Sequence, residues 1–252
     1  MNIGLLTATS ISEFRLATLK KILDDERFCV KVALIDTRKK TFKEKFIKNL
    51  KKGRGGYMLI MAFKKLLQKK KKTTRSIDTK EFCKANHIPY IETNNPYDKN
   101  IIAELQRYNL DVLLLVGGYG IIKEPLLSLA PEGILSYHHG DMRKYRGMPP
   151  AFWELYNNEK EMGITLQKLS NKLDAGIAIV EKKVPIYKSD TLETLDKRAR
   201  DASIDMMYEA LDKIYTKTAP TKALTKLGKV YTLPNLREWL LFHMKLFFRR
   251  KK

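Results

Sequence analysis

The chain has 252 residues, 44% of them apolar, which is enough to bury a full core, and it carries a formal net charge of +21. No stretch approaches the roughly 18 uninterrupted apolar residues that a membrane-crossing helix needs, so none is expected. Two cysteines, Cys29 and Cys83, are too few for a disulfide framework and lack metal-ligand spacing; both are expected as small buried hydrophobes in a reducing compartment.

The opening Met1-Asn2-Ile3-Gly4-Leu5-Leu6 lacks a basic start and a long apolar run, so it reads as a first strand rather than a signal peptide, and a cytoplasmic protein is expected. Ser10 and Glu13 have capping-box spacing for a helix reaching Leu23. No Gly-x-Gly-x-x-Gly follows the first strand, which argues against a nicotinamide enzyme. Val30 to Ile35 reads as the second strand. From Arg38 to Arg75 there are 16 Lys and Arg against one acid, Glu44, so +15 of the charge sits in that segment. Its apolar piece Tyr57 to Leu67 has a helical pattern between lysine clusters. Three readings stay open: a helix packed on its own domain, a contact with an anionic membrane, or a grip on RNA phosphates, for which stacking aromatics are sparse.

A helix is expected from Ser76 to Ala85 and a short strand-like piece over His87 to Ile91, with His87 a helix-end residue rather than a ligand. Another helix spans Asp98 to Tyr108 and leads into Asp111 to Val116, a continuous apolar strand covered on both faces. That strand ends in Gly117-Gly118-Tyr119-Gly120, where a ligand can approach the backbone closely, and the pattern predicts a helix from Lys123 to Ala130. Gly133 to Asp141 then runs from apolar residues into Ser136, His138 and His139. A strand there would carry polar side chains to its carboxyl end, where open α/β sheets place ligands. Gly163 to Leu169 and Ile177 to Val180 read as strands, with Asp174 between them. If they lie beside the Gly133 strand, Asp174 reaches a ring nitrogen of His138 and makes an acid/base pair. The alternative is a buried, hydrogen-bonded histidine and a turn aspartate before Gly176.

Four elements in order carry a resemblance: Ser136-Tyr137-His138, Tyr145-Arg146-Gly147-Met148-Pro149-Pro150, Gly163-Ile164-Thr165 and Leu173-Asp174-Ala175-Gly176. The run from about Asp111 to Pro185 resembles the catalytic domain of the folate-dependent formyltransferases. The resemblance implies an α/β, Rossmann-like formyltransferase fold with a mostly parallel central sheet flanked by helices. It also implies formyl transfer from 10-formyltetrahydrofolate to an amine through a tetrahedral intermediate, with no metal. His138 would stabilise the oxyanion and act as acid, Asp174 would orient it and relay the proton, and Ser136 would be a second donor. Ser136 stands where the family has Asn, and its shorter arm, or His139, must take over that hydrogen bond. Gly118, Tyr119, Gly120, Ile121 and Ile122 would hold the pteridine, together with Tyr145, Arg146 and Gly147. Arg143, Lys144 and Arg146 could face an anionic acceptor or the folate tail, and Trp153 could help wall the site.

The same resemblance implies a catalytic domain over 1–217, with the basic insertion at about 38–75, and a short extension over 218–252. Ser189 to Tyr215 reads as one amphipathic helix closing the domain. The extension leaves no room for a tRNA-binding barrel, so a small-molecule amine is the expected acceptor, with tRNA a lesser reading through the insert. The tail, Leu236 to Phe248, is a basic, aromatic-rich helix candidate that could dock on the domain, form a dimer seam or touch an anionic membrane at the periphery. Two other activities remain open: folate binding without efficient catalysis, and hydrolysis of the formyl donor by water.

Overall fold

The computed structural model describes residues 1–38 and 76–251. The helix expected near 57–67 and nearly all of the basic segment lie outside those residues. β1 (Asn2–Ala8) sends Ile3 and Leu5 into one core and Leu6 into another, as the two-residue period of a strand requires. β2 (Ser10–Ser12) precedes α1 (Glu13–Leu23), whose N-cap is Ser12, with no side-chain cap hydrogen bond. The capping box expected from Ser10 does not form, because Ser10 is drawn into extended pairing with Asp78. Cys29 begins β3 (Cys29–Asp36) and is exposed, contrary to expectation, while Cys83 is buried.

The helix expected from Ser76 starts later, after β4 (Ser76–Asp78). The Asp78 carboxylate accepts the Lys80 and Glu81 amides and so sets the start of α2 (Thr79–Ala85). β5 (Tyr90–Thr93), α3 (Lys99–Gln106) and β6 (Val112–Leu115) follow. The helix expected over Lys123 to Ala130 shrinks to a 3-10 turn at Leu126–Ser128, because Pro125 and Pro131 bracket too few residues for a second turn. Next come β7 (Ile134–His138), β8 (Tyr145–Gly147), α4 (Phe152–Tyr156), β9 (Glu161–Lys168) and β10 (Ile177–Pro185).

The single helix expected over Ser189 to Tyr215 is two, α5 (Leu192–Ala202) and α6 (Met206–Tyr215). Ser203 divides them: its hydroxyl bonds back to the Arg200 carbonyl at 2.9 Å and its own carbonyl accepts the Tyr137 hydroxyl at 2.8 Å. β11 (Lys229–Tyr231) and α7 (Leu236–Lys251) complete the chain.

Among the described residues seven strands form the main sheet in the order β10-β9-β7-β6-β1-β3-β5; the five from β7 to the β5 edge are parallel, and β9 pairs antiparallel with both β7 and β10. The chain builds outward from β1 through β3 to β5, then returns to the other side of β1 for β6 and β7. The switch therefore falls between β1 and β6, and crevices at such points take the ligands of open α/β sheets. Gly118, just past β6, lies so close to Ala8, at the end of β1, that a β-carbon added there would be 2.5 Å from that of Ala8.

The stretch after residue 217 is built into this frame. β11 pairs in parallel with β8, and Phe242 of α7 is fully buried and stacks on Phe152 at 4.5 Å between ring centroids. We expect Phe242→Ala to cost about 3 to 5 kcal/mol in urea unfolding of the whole chain, the usual result of emptying a core aromatic site. A loss below about 1 kcal/mol would mean that α7 is not part of the cooperative core.

Candidate active site

Alternation along β7 puts Ser136 and His138 on the face of Ile134, while Leu135 and Tyr137 enter the opposite core. The β7–β9 register sets Ser136 against Gln167 and His138 against Thr165. The loop from β9 to β10 returns Asp174 to the same place. Its backbone has φ of +41°, a left-handed conformation uncommon for a residue with a side chain.

Asp174 is held from several sides. Oδ2 accepts the Gly147 amide at 2.8 Å and Oδ1 accepts the Gln167 side-chain amide at 3.0 Å. Gln167 in turn accepts the Gly176 amide at 3.2 Å. The Arg146 guanidinium clamps the turn by donating to the carbonyls of Leu173 and Asp174. Two glycines make the close packing possible: at Gly176 a β-carbon would sit 1.9 Å from the Lys168 carbonyl oxygen, and at Gly147 (φ +90°) 2.1 Å from that of Tyr231. The left-over Oδ2 lone pair faces His138 Nδ1 at 3.4 Å.

On its other side His138 donates Nε2–H to the Tyr145 carbonyl at 2.8 Å. The imidazole is 6% exposed, so its ring plane is fixed by protein partners at both nitrogens. Ser136 is buried, and its hydroxyl lies 3.5 Å from the Tyr137 carbonyl, too far to commit its hydrogen. The structure thus sets His138 against Asp174, with Ser136 two residues earlier on the same face of β7. His139 goes elsewhere: it stacks on Tyr137, meets Phe14 edge-on and approaches the Ser203 hydroxyl at 3.4 Å. Burial, with Arg15 and Arg200 nearby, lowers its pKa to about 3. His139 is therefore a neutral packing residue on the far face and does not take over the second hydrogen bond.

The residues expected to cradle a pteridine fall into two groups. Gly118, Tyr119, Gly120, Ile121 and Ile122 form an irregular loop beside the switch point. Within it Tyr119 is an anchor whose hydroxyl donates to the Leu34 carbonyl, Ile122 is buried and Ile121 is exposed. Among the described residues, nothing beyond the chain neighbours lies within 4 Å of a β-carbon added at Gly117 or Gly120. Tyr145, Arg146 and Gly147 lie beside Asp174, but the first two spend their polar groups within the protein. The Tyr145 hydroxyl donates to Glu159, and Arg146 holds the Asp174 turn. Arg143 pairs with Glu181 and Lys144 with Glu159, so neither offers a spare charge. Trp153 donates to the Thr232 carbonyl and packs on Tyr231 in the β11 junction. Exposed Met148 and Leu173 supply apolar surface next to Gly147 and Asp174.

Sequence reasoning missed Gln167, Glu154 and β11. A glutamine in the middle of the apolar strand Gly163 to Leu169 was the available signal for the first, since a buried amide must find partners. Glu154 is 2% exposed and lines a cavity of about 450 Å³ shared with Tyr145, Asn157 and Glu159. Burial pushes its carboxyl up to about 7, and the Glu159 charge adds to the rise. Among the described residues no cluster of three His, Cys, Asp or Glu could hold a metal ion.

Comparison with known proteins adds three findings. The model of the family described as formyl transferase matches residues 30–211. A methionyl-tRNA formyltransferase of Anaeromyxobacter dehalogenans is 31% identical over 134 residues, which is 53% of this chain and 43% of that protein. The chain thus spans less than half the length of such curated relatives. Among solved structures, glycinamide ribonucleotide transformylase 1 of Symbiobacterium toebii superposes with a TM-score of 0.62 at 18% identity, covering 91% of this chain and 94% of that one. The N-formyltransferase of Helicobacter canadensis, solved with folinic acid and dTDP-3-aminofucose, gives 0.58 at 17% identity, over 92% and 71%. At these identities both likenesses establish the fold.

The raised Glu154 pKa has a consequence for stability. Between about pH 4.5 and about pH 7 the unfolded chain gives up a proton that the folded chain keeps, so stability falls as pH rises through that window. Glu154→Gln should remove the effect, making the protein about 2 to 3 kcal/mol more stable than wild type at pH 8 but not at pH 4, as read by urea unfolding. Equal effects at both pH values would contradict the assignment.

Proposed function

Because the chain belongs to the formyl transferase family, we propose that it transfers a formyl group from 10-formyltetrahydrofolate to an amine. The observation that carries this reading is the convergence of Ser136, His138 and Asp174 at the carboxyl end of β7, next to the β1/β6 switch point. The open backbone at Gly117 and Gly120 and the apolar rim of Met148 and Leu173 fit a flat heteroaromatic group, which would present its formyl carbon to this cluster. Gly118 to Ile122 would hold the ring.

The bound donor supplies an activated formyl carbon, and the protein does the rest. An acceptor amine forms the new C–N bond at that carbon, and the carbonyl oxygen gains charge as the tetrahedral intermediate builds. Ser136 donates its uncommitted hydrogen to that oxygen. His138 is the second donor: its Nε2–H is held by the Tyr145 carbonyl in the free site, so a substrate oxygen must compete for it. Asp174 steadies the imidazolium form and receives the proton lost by the attacking amine. Collapse breaks the bond from carbon to the folate nitrogen, which takes a proton from His138.

A small amine is the acceptor favoured here. The two solved relatives reported above act on small molecules by name and superpose over nine-tenths of this chain. Transfer to initiator tRNA through the basic segment, and hydrolysis by water at the same residues, are distinguished by the test.

In single-turnover mixing of the full chain with 10-formyltetrahydrofolate and a panel of amino sugars, aminoacyl-tRNA and other amines, we expect formylated product with a small amine. Asp174→Asn should lower the rate about 100- to 1,000-fold, the range for removing one transition-state contact, while changing donor affinity little. Ser136→Asn should match or exceed wild type. Formate released without amine would assign a hydrolase, and donor bound but never consumed would assign a binding protein.

A further inference from the structure

Helix α7 has two apolar faces, and the fold covers one of them. Phe242 is fully buried, Trp239 and Leu246 pack against the same core, and Lys245 reaches across to the Tyr156 carbonyl at 2.8 Å while lying over its ring. The other face carries Leu236, Leu240, Met244, Phe247 and Phe248, which are 43% to 58% exposed. At 100° per residue these five lie within an arc of about 120°, a continuous stripe along the helix. Scattered exposed hydrophobes are ordinary on a soluble surface, but an aligned row of five large ones marks an interaction surface.

The charge of the α7 segment is nearly all of one sign. Arg237, Lys245, Arg249, Arg250 and Lys251 fall within α7 and Lys252 follows it, against the single acid Glu238. We propose that α7 docks this chain on an anionic lipid surface, its exposed stripe entering the headgroup layer while the net positive charge of the helix draws it to lipid phosphates. A second copy of the chain is a poorer occupant. A two-fold contact through α7 would lay each cationic helix against its twin, on chains that already carry +21 apiece. An anionic bilayer supplies the missing countercharge together with an apolar layer of matching depth. No helix among the described residues is long and apolar enough to cross a membrane, so the attachment is peripheral. It is independent of the proposed reaction, because none of the stripe residues belongs to the site at β7.

Flotation of the full chain with vesicles tests this. It should float with equimolar phosphatidylglycerol and phosphatidylcholine at about 0.1 M salt, not float with phosphatidylcholine alone, and be partly released at about 1 M. The triple variant Leu240→Gln, Met244→Gln, Phe248→Gln keeps every charge and every inward residue of α7. Its bound fraction should fall at least tenfold with its circular dichroism unchanged. Wild-type protein that stays with the soluble fraction at every salt concentration would overturn the proposal. So would a triple variant that binds as well as wild type, since binding would then come from charge alone, including that of Arg38 to Arg75. A dimer in light scattering that the triple variant abolishes, without vesicle binding, would assign the stripe to self-association instead.

Discussion

The placement of one carboxylate governs the candidate site. Asp174 occupies a left-handed turn, and three other parts of the chain fix it there: the Gly147 amide, the Gln167 side chain and the Arg146 guanidinium. Each of these depends on something further out. Gly147 can approach because it has no side chain to strike β11, Gln167 is aligned by the β7–β9 register, and Arg146 lies on a strand that exists only because β11 pairs with it. With those donors satisfied, the half-buried carboxylate presents one remaining lone pair to His138. The antiparallel β9 and β10 at the sheet edge are therefore part of the chemistry, since they return the aspartate to the strand that carries the histidine.

That arrangement was partly legible in the chain. The apolar runs at Ile3, Val30 and Asp111 read as strands, and the resemblance carried by the four motifs between Ser136 and Gly176 implied a mostly parallel sheet and which strand ends matter. What could not be read were effects of contact at a distance. Arg146 and Lys144 look available in a basic sequence loop, but the fold gives one to two backbone carbonyls and the other to Glu159. His138 and His139 are neighbours in sequence, yet strand alternation sends them to opposite faces. The break at Ser203 and the pairing of β11 with β8 rest on partners some 60 to 80 residues away, which no local pattern reports.

The charge of the molecule and its chemistry are separate features. The loop cations nearest the site are neutralised within it, and among the described residues the two guanidinium groups that keep a buried nitrogen without a hydrogen-bond partner belong to Arg15, on the far side of β7 over the Tyr137 ring, and to Arg249 of α7. The excess positive charge belongs in sequence to the Arg38 to Arg75 segment and to α7.

The account stands on the donor's formyl group lying against the Ser136, His138 and Asp174 cluster. A crystal structure of the full chain with a non-transferable 10-formyl folate analogue measures this directly. The account predicts the pteridine along Gly118 to Ile122 and the formyl oxygen within hydrogen-bonding distance of the Ser136 hydroxyl and His138, about 3 Å. An analogue bound at full occupancy with its formyl group remote from all three side chains would contradict it.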